Sequence, residues 1–181
     1  MEIVEMKMNK SLLISAALVA ASACSAWAQS PAAEASVTVG GKKITIKYHA
    51  PSVRGRQIFG DGGLVSKDPT YPVWRAGANE ATALHTDADL DIKGLHVPAG
   101  DYTMFVQVNP APWQLIISKA TGEWGLAYDK SQDLGRVPMN VKKPGAPVET
   151  MKIALTSAGG NKGTLTISWS DVEASVPFTA K

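Results

Sequence analysis

The pattern that most constrains the fold is a regular succession of short alternating runs, each bounded by turn residues. In the run 42–49, Ile44, Ile46 and Tyr48 share one face, because successive side chains of a strand point to opposite sides. Gly40-Gly41 precedes this run and can adopt the positive φ angles of a tight hairpin turn. Similar runs follow at 81–86, 90–92, 95–97, 102–108, 113–118, 136–141, 148–156, 164–169 and 175–179. Short, evenly spaced strands without a convincing amphipathic helix predict an all-β domain, an antiparallel β-sandwich or barrel-like fold with long loops.

The first 28 residues have the three parts of a secretory signal peptide. Lys7 and Lys10 form a basic start, residues 12–23 are apolar, and Ala26-Trp27-Ala28 supplies the small residues of a cleavage site. The apolar run is too short for a permanent membrane-spanning helix, which needs about 20 residues. The sequence therefore predicts an exported, periplasmic or secreted bacterial protein with a signal peptide at 1–28, a linker at 29–36 and a single β domain at 37–181.

The alternative to cleavage after Ala28 is a lipoprotein. Cys24 ends the segment Ala21-Ser22-Ala23-Cys24, an imperfect lipid-attachment sequence because Leu usually stands at its first position. Lipidation at Cys24 would anchor the mature chain without a transmembrane segment. Cleavage after Ala28 is the preferred prediction, and it leaves no cysteine for a disulfide or a thiol nucleophile.

Charge and histidine spacing argue against several function classes. The net charge is only +2, with both signs mixed along the chain, which predicts no nucleic-acid partner. His49, His85 and His96 lack the spacing of a familiar metal motif, and no Gly-rich loop has the pattern of a phosphate-binding motif. A Gly-x-Ser-x-Gly nucleophile motif is missing as well. We therefore expect no metal and no cofactor, and we assign no catalytic residue.

The densest group of directional polar side chains lies at 73–82, in the sequence Val-Trp-Arg-Ala-Gly-Ala-Asn-Glu-Ala-Thr. It follows a connection at 52–72, and loops of that length in compact domains are often functional. Guanidinium groups bind carboxylates and phosphates bidentately, and an indole can stack on a sugar ring. The candidate ligand-binding residues are Arg54, Arg56, Trp74, Arg75, Asn79, Glu80, Trp124, Asp133 and Arg136. Of the aromatic residues other than Trp74, Trp124 is predicted to be the most exposed.

The same polar residues also permit a structural interpretation. Arg75 with Glu80, and Arg136 with Asp133, would form internal ion pairs that hold long loops onto the sheet, because a buried Arg must be paired. In that case the cluster satisfies itself and leaves no group for a ligand.

Several segments occur in an order that resembles the DUF2911 family of bacterial exported proteins. They are Pro51-Ser52-Val53-Arg54-Gly55-Arg56, Ile58-Phe59-Gly60, the stretch 73–82, Pro98-Ala99-Gly100-Asp101-Tyr102, Trp124-Gly125, Asp133-Leu134-Gly135-Arg136-Val137, Glu149 and Leu165-Thr166-Ile167-Ser168-Trp169. The resemblance covers nearly all of the predicted mature chain, and the departures lengthen the loop after Phe59-Gly60. The family has no assigned activity, so the resemblance implies no catalytic residues.

Three functional hypotheses follow from these residues. The first is a non-enzymatic envelope module that binds a small molecule, a glycan or an anion along the loop 52–72 and the stretch 73–82. The second is a hydrolase that uses Glu80 or Asp133 with a histidine. The third is a structural module, or one that binds a partner protein of the envelope.

Overall fold

The computed structural model describes residues 29–181, so the predicted signal peptide and Cys24 lie outside the described residues. Two antiparallel sheets pack face to face and neither closes into a barrel, which confirms the all-β sandwich. The strands are β1 (Ala32–Val39), β2 (Lys42–His49), β3 (Val73–Trp74), β4 (Thr82–Thr86), β5 (Leu90–Ile92), β6 (Leu95–Val97), β7 (Gly100–Gln107), β8 (Gln114–Ser118), β9 (Asp133–Pro138), β10 (Asn140–Lys142), β11 (Val148–Ser157), β12 (Lys162–Ser170) and β13 (Val172–Ala180). Short 3-10 helices lie at Val65–Lys67 and Lys130–Gln132. Within residues 29–181, no helix has the length and apolar character needed to cross a membrane.

Each sheet is built mainly from hairpins. The seven-stranded sheet has the order β1-β2-β4-β7-β8-β9, with β3 paired to β7. The six-stranded sheet has the order β11-β12-β13-β5-β6, with β10 paired to β13. The predicted turn between β5 and β6 is confirmed: Lys93 and Gly94 both have positive φ angles, of 50° and 91°, as a two-residue hairpin loop requires.

The first hairpin begins earlier than the alternating pattern indicates. β1 starts at Ala32, which pairs with His49, so the prediction of a linker over 29–36 is wrong from residue 32 onward. Ala32 to Ser36 lack strong apolar alternation because β1 is an edge strand, partly exposed along this length. Its order comes from the backbone ladder with β2, and a ladder needs no apolar side chains.

The predicted strand over 136–141 is also wrong as a single element. β9 pairs with β8 in one sheet and β10 pairs with β13 in the other, so the chain changes sheets at Met139. The Met139 side chain is buried in the core, and its backbone N–H donates to the carbonyl of Trp113 at 2.8 Å. Local alternation continues smoothly through this crossing, which is why the pattern shows one strand where the fold has two.

The main core lies between the two sheets. The predicted core positions Ile44, Ile46 and Tyr48 are all buried there. Trp74 and Trp169 stack in the same core with ring centroids 5.8 Å apart, and Phe59 meets the Trp74 ring edge-on at 5.6 Å. The long connection 52–72 therefore contributes an aromatic anchor to the core.

The seven-stranded sheet also has an outer face, and only part of it is covered. Over β7, β8 and β9 it carries Phe105 and Ile116, both buried beneath a loop at 119–132, which we call the covering loop. Tyr128 of this loop packs edge-on against Phe105 with ring centroids 5.0 Å apart. Over β1, β2 and β4 the outer face stays open, and this open region contains the candidate site.

Candidate functional site

A groove of about 1000 Å³ lies on the open outer face of the seven-stranded sheet. Its lining comes from β1, β2, β4 and the start of β7, and residues 121–123 of the covering loop complete it. Small side chains, Ala81 and Ala83, lie in the part lined by β4 and the residue before it. Ala83 and His85 are exposed while Thr82, Leu84 and Thr86 are buried, so the alternation of β4 separates the groove face from the core face.

One end of the groove holds a histidine–carboxylate pair. His49 ends β2, and its Nδ1 lies 3.0 Å from Oε2 of Glu80. Glu80 is exposed, and its backbone forms an isolated antiparallel bridge with that of Trp124. The pair joins the end of β2 to the stretch 73–82, and the bridge from Glu80 to Trp124 connects that stretch to the covering loop.

The other end holds a second histidine between two carboxylates. His85 Nδ1 is 2.8 Å from Oδ1 of Asp101, and His85 Nε2 is 3.0 Å from Oδ1 of Asp87. A carboxylate only accepts hydrogen bonds, so both contacts are satisfied at once only when both ring nitrogens carry protons. These hydrogen bonds, first to Asp101 and then to Asp87, raise the pKa of His85. The hydrogen bond from His85 lowers the pKa of Asp87, with a smaller contribution from the backbone N–H of Lys43.

Trp74, predicted to face a ligand, is only 2% exposed. Its ring packs against Phe59 and Trp169 between the sheets, so no face is free to stack on a sugar. The expectation that Trp74 contacts a ligand is therefore wrong. The adjacent polar residues suggested a surface position, but β3 pairs with β7 and aims this indole inward.

Arg75 also differs from its predicted pairing. Its nearest acid is Asp68, with Nη2 to Oδ2 at 3.6 Å, and Glu80 binds His49 instead. Burial raises the pKa of Asp68, and the positive charge of Arg75 opposes this rise. Arg75 Nε is buried and has no hydrogen-bond partner among the described residues. Arg75 packs beneath Gly125 of the covering loop, where any β-carbon would overlap its Cδ atom.

The remainder of the stretch 73–82, which we call the central stretch, is a tight irregular turn that positions Glu80. Ala76 and Asn79 have positive φ angles of 51° and 59°, and the Ala78 N–H donates to the carbonyl of His49 at 3.2 Å. The Asn79 carbonyl accepts from the Gly125 N–H at 3.2 Å, and its side-chain Nδ2 donates to the Ser30 carbonyl at 3.4 Å. Asn79 is thus used for backbone contacts, consistent with the tolerance of Asn for left-handed backbone. The stretch ties β2, β4 and the covering loop together.

Asp133 and Arg136 form a separate network beneath the covering loop. Arg136 donates to Asp133, with Nη2 to Oδ2 at 2.7 Å, which confirms this predicted ion pair. The same guanidinium donates to the side chain of Gln107 and to the Tyr128 hydroxyl, and Tyr128 donates to Asp133 at 2.9 Å. Burial, followed by the hydrogen bond to Asp133, raises the pKa of Tyr128 to about 12. The network satisfies its own charges and does not line the groove.

Arg54 and Arg56 lie on the connection 52–72, away from the groove lining. The Arg56 guanidinium donates to the carbonyls of Ser52 and Val53, at 2.6 and 3.0 Å. The Arg54 backbone N–H donates to Glu149 at 2.9 Å. These contacts attach the loop to β11 and to itself.

Glu80 is therefore the one predicted residue that lines the groove. Trp124 is 53% exposed, as expected. It lies at the rim of the groove, because the preceding residue, Glu123, lines the groove and the backbone of Trp124 forms a bridge with that of Glu80. The sequence did not indicate that the following groove residues act as a set: Glu34, Lys47, His49, His85, Asp101 and Glu123. A signal was present: Thr45, Lys47 and His49 alternate away from the core face of β2. Only strand order shows that β1, β4 and β7 flank them.

The described residues contain no group of three His, Cys, Asp or Glu side chains arranged to hold a metal ion. A family model with the description "Protein of unknown function (DUF2911)" matches residues 30–178. No curated protein and no solved structure matches the chain.

Proposed function

The chain belongs to the DUF2911 family, whose description names no activity, and we propose from its groove that it is a non-enzymatic carbohydrate-binding module. The observation that carries the proposal is the groove of about 1000 Å³ on the outer face of the seven-stranded sheet. Ligand sites are concave, and their lining combines apolar surface with a few polar groups that fix orientation.

The chemistry of the lining suits a hydroxyl-rich ring. Ala81 and Ala83 offer small apolar surfaces that the carbon-bound hydrogens of a sugar can approach closely. Carboxylate oxygens that can accept hydrogen bonds from sugar hydroxyl groups come from Glu80, Asp101 and Glu123. Hydrogen bonds to charged acceptors are stronger than those to neutral acceptors. At the rim the exposed ring of Trp124 is available for stacking on a sugar, as aromatic side chains at binding surfaces are.

An anionic ligand has less support. The arginines that suggested it, Arg54, Arg56, Arg75 and Arg136, do not line the groove. Lys47 is the single Lys or Arg of the lining, so a phosphate or carboxylate ligand would meet more negative than positive charge. A glycan is therefore the ligand class that we propose.

The proposed location is the bacterial envelope or the medium outside the cell. The signal-peptide pattern of residues 1–28, with cleavage after Ala28, supports export, and anchoring at Cys24 is the alternative. An exported module with an open groove would meet oligosaccharides of the envelope or of the surroundings.

The test uses the protein expressed with its N-terminal segment and purified from the compartment that it reaches. Titration calorimetry with a panel of neutral oligosaccharides should give saturable binding. A ligand at 100 times its Kd should also add about 2.7 kcal/mol to the free energy of unfolding. The Ala83→Phe variant fills the groove at an exposed position and should abolish binding, whereas Ala146→Phe, in an exposed loop outside the groove, should retain it. Unchanged binding by Ala83→Phe would place the site elsewhere.

One observation favours a second candidate function, a glycoside-directed hydrolase. Glu80 Oε2 lies 3.0 Å from Nδ1 of His49 in the groove, and a carboxylate beside an imidazole is the arrangement of many general-base histidines. Asp133 does not fit this role because its partners are Tyr128 and Arg136. Release of reducing ends from bound oligosaccharides, lost in Glu80→Gln, would establish hydrolysis. Binding without any release of reducing ends would leave the non-enzymatic function in place.

A further inference from the structure

We propose that the groove selects glycans that carry free, protonated amino groups over neutral glycans of the same size. This inference rests on the proposed carbohydrate-binding function and names the ligand class of the same groove. The observation that supports it is the negative charge of the groove lining, which is opposite in sign to the net charge of the whole chain.

The groove is lined by four carboxylates, Glu34, Glu80, Asp101 and Glu123, and by one lysine, Lys47. With His49 and His85 neutral, the formal charge of the lining is four negative and one positive, or −3; with both protonated it is −1. The chain as a whole carries +2. Residues 1–28 contain two Lys and two Glu and contribute zero, so the described part also carries +2. The groove is therefore a negative region on a mildly positive protein.

Two of the four carboxylates already have a histidine as a partner, and the other two have none. Glu80 and Asp101 each bind a histidine, at 3.0 and 2.8 Å. Glu34 and Glu123 form no ion pair with any residue of the described range 29–181, although Glu34 lies opposite Lys47 in the β1–β2 register. These two acids are thus available to a positive group of the ligand.

The available acids also lie on different borders of the groove. Glu34 is on the edge strand β1, and Glu123 is on the covering loop, where its carbonyl accepts from the Ala81 N–H at 3.2 Å. An oligosaccharide with an amine on each ring would bring an ammonium group to each border, and charge complementarity of this kind sets specificity between otherwise similar partners.

The experiment compares three tetrasaccharides of the same length and β-1,4 linkage, built from glucosamine, N-acetylglucosamine and glucose. We expect the glucosamine tetramer to bind the purified protein with a Kd at least about tenfold lower than the other two, equivalent to about 1.4 kcal/mol. The difference should shrink as salt is raised from about 0.01 to about 1 M, because the screening length falls from about 30 to about 3 Å.

The matched variants separate charge from fold. The double variant Glu34→Gln, Glu123→Gln should lose the preference, so that its Kd values for the glucosamine and glucose tetramers become equal. Asp61→Asn removes one exposed negative charge from a loop outside the groove and should leave both affinities unchanged.

The outcomes distinguish this inference from the function on which it rests. Equal affinity for all three tetramers would overturn amine selectivity and leave the carbohydrate-binding function standing. Binding of spermidine, a linear polyamine without a sugar, together with no binding of any tetramer, would overturn both. A preference for the glucosamine tetramer that persists in the double variant would assign the selectivity to groups other than Glu34 and Glu123 and overturn the inference.

Discussion

At the residue scale, histidines and acids that were dispersed in the sequence become paired through strand register. His85 faces Asp101 because β4 and β7 pair directly at these two positions. Asp87 lies two residues beyond His85, so both carboxylates reach the same imidazole from different strands or turns. The protonated ring is the form that satisfies both acids, and this has a measurable consequence.

We expect the pKa of His85, followed by NMR of the ring resonances, to lie above 6.5. In Asp101→Asn it should fall toward 6.5, and in the Asp87→Asn, Asp101→Asn double variant it should fall further, since Asp101 provides the larger contribution. Because the folded-state pKa is raised, the stabilising contribution is fully present below pH 6.5 and is lost as pH rises through the folded value. The lowered pKa of Asp87 adds stability that is fully present above pH 3.8. Both stabilising contributions are therefore present between pH 3.8 and pH 6.5. A His85 pKa at or below 6.5 would contradict the paired geometry.

Removing one partner of the Asp133–Arg136 ion pair should strongly destabilise the fold. The two side chains are 11% and 23% exposed, and removal of one partner from a mostly buried pair costs about 3–5 kcal/mol. Asp133→Ala should therefore lower the free energy of unfolding, measured with urea, by about that amount. Glu173→Ala breaks the more exposed pair with Lys142 and should cost about 0–1 kcal/mol. Equal losses in the two variants would contradict the structural role assigned to Asp133.

At the scale of elements, the covering loop is held by the central stretch and in turn lines the groove. The amides of Ala81 and Gly125 donate to the carbonyls of Glu123 and Asn79, both at 3.2 Å. At the other end of the loop, Tyr128 packs on Phe105 and binds Asp133. The polar stretch 73–82 thus serves mainly as a scaffold that delivers Glu80 to the groove.

Gly125 is the position where this attachment is most sensitive. A β-carbon there would lie 2.6 Å from the Asn79 carbonyl oxygen and would overlap the Arg75 side chain. Gly125→Ala should therefore cost about 1–3 kcal/mol of stability, as overpacking does, and speed hydrogen exchange at the Ala81 amide. Gly145→Ala is the control, because a β-carbon there meets no atom within 4 Å, and it should change stability by no more than about 0.5 kcal/mol. Similar effects at both glycines would show that the loop does not depend on close backbone approach.

At the scale of the whole molecule, the two sheets meet around an aromatic cluster that includes Trp74, the residue that the sequence had placed against a ligand. Trp74, Trp169 and Phe59 come from β3, β12 and the connection 52–72, and they close the sandwich at a point where three distant segments converge. The tryptophan with an exposed ring at the groove rim is Trp124. Stability and binding should therefore depend on different tryptophans.

Trp74→Ala should lower the free energy of unfolding by about 3–5 kcal/mol, because it opens a cavity between the sheets. Trp124→Ala should change it by no more than about 0.5 kcal/mol, as expected for an exposed side chain, and should weaken oligosaccharide binding. Urea unfolding measures the first effect and calorimetric titration the second. A large loss of stability in Trp124→Ala, or none in Trp74→Ala, would reverse the assignment.

The sequence by itself determined the properties that local pattern carries. Alternation at Ile44, Ile46 and Tyr48 identified a strand and its core face, and the glycine turns identified hairpins, because side-chain direction in a strand follows from sequence position alone. The pair Asp133 and Arg136 was also readable, since an acid and an arginine only three residues apart are close neighbours in the chain. The family-model match over residues 30–178 agrees with the motifs quoted from the sequence.

Only the tertiary structure decided which surface is concave and which polar residues share it. Strand order places β1, β2, β4 and β7 side by side, and this brings Glu34, His49 and Asp101 to one groove although they are far apart in the chain. The same order buried Trp74, turned Arg75 toward Asp68 and left Glu80 for His49. Sheet pairing is a long-range choice among strands of similar local pattern, so a polar stretch in the sequence could not show which of its side chains face solvent, core or groove.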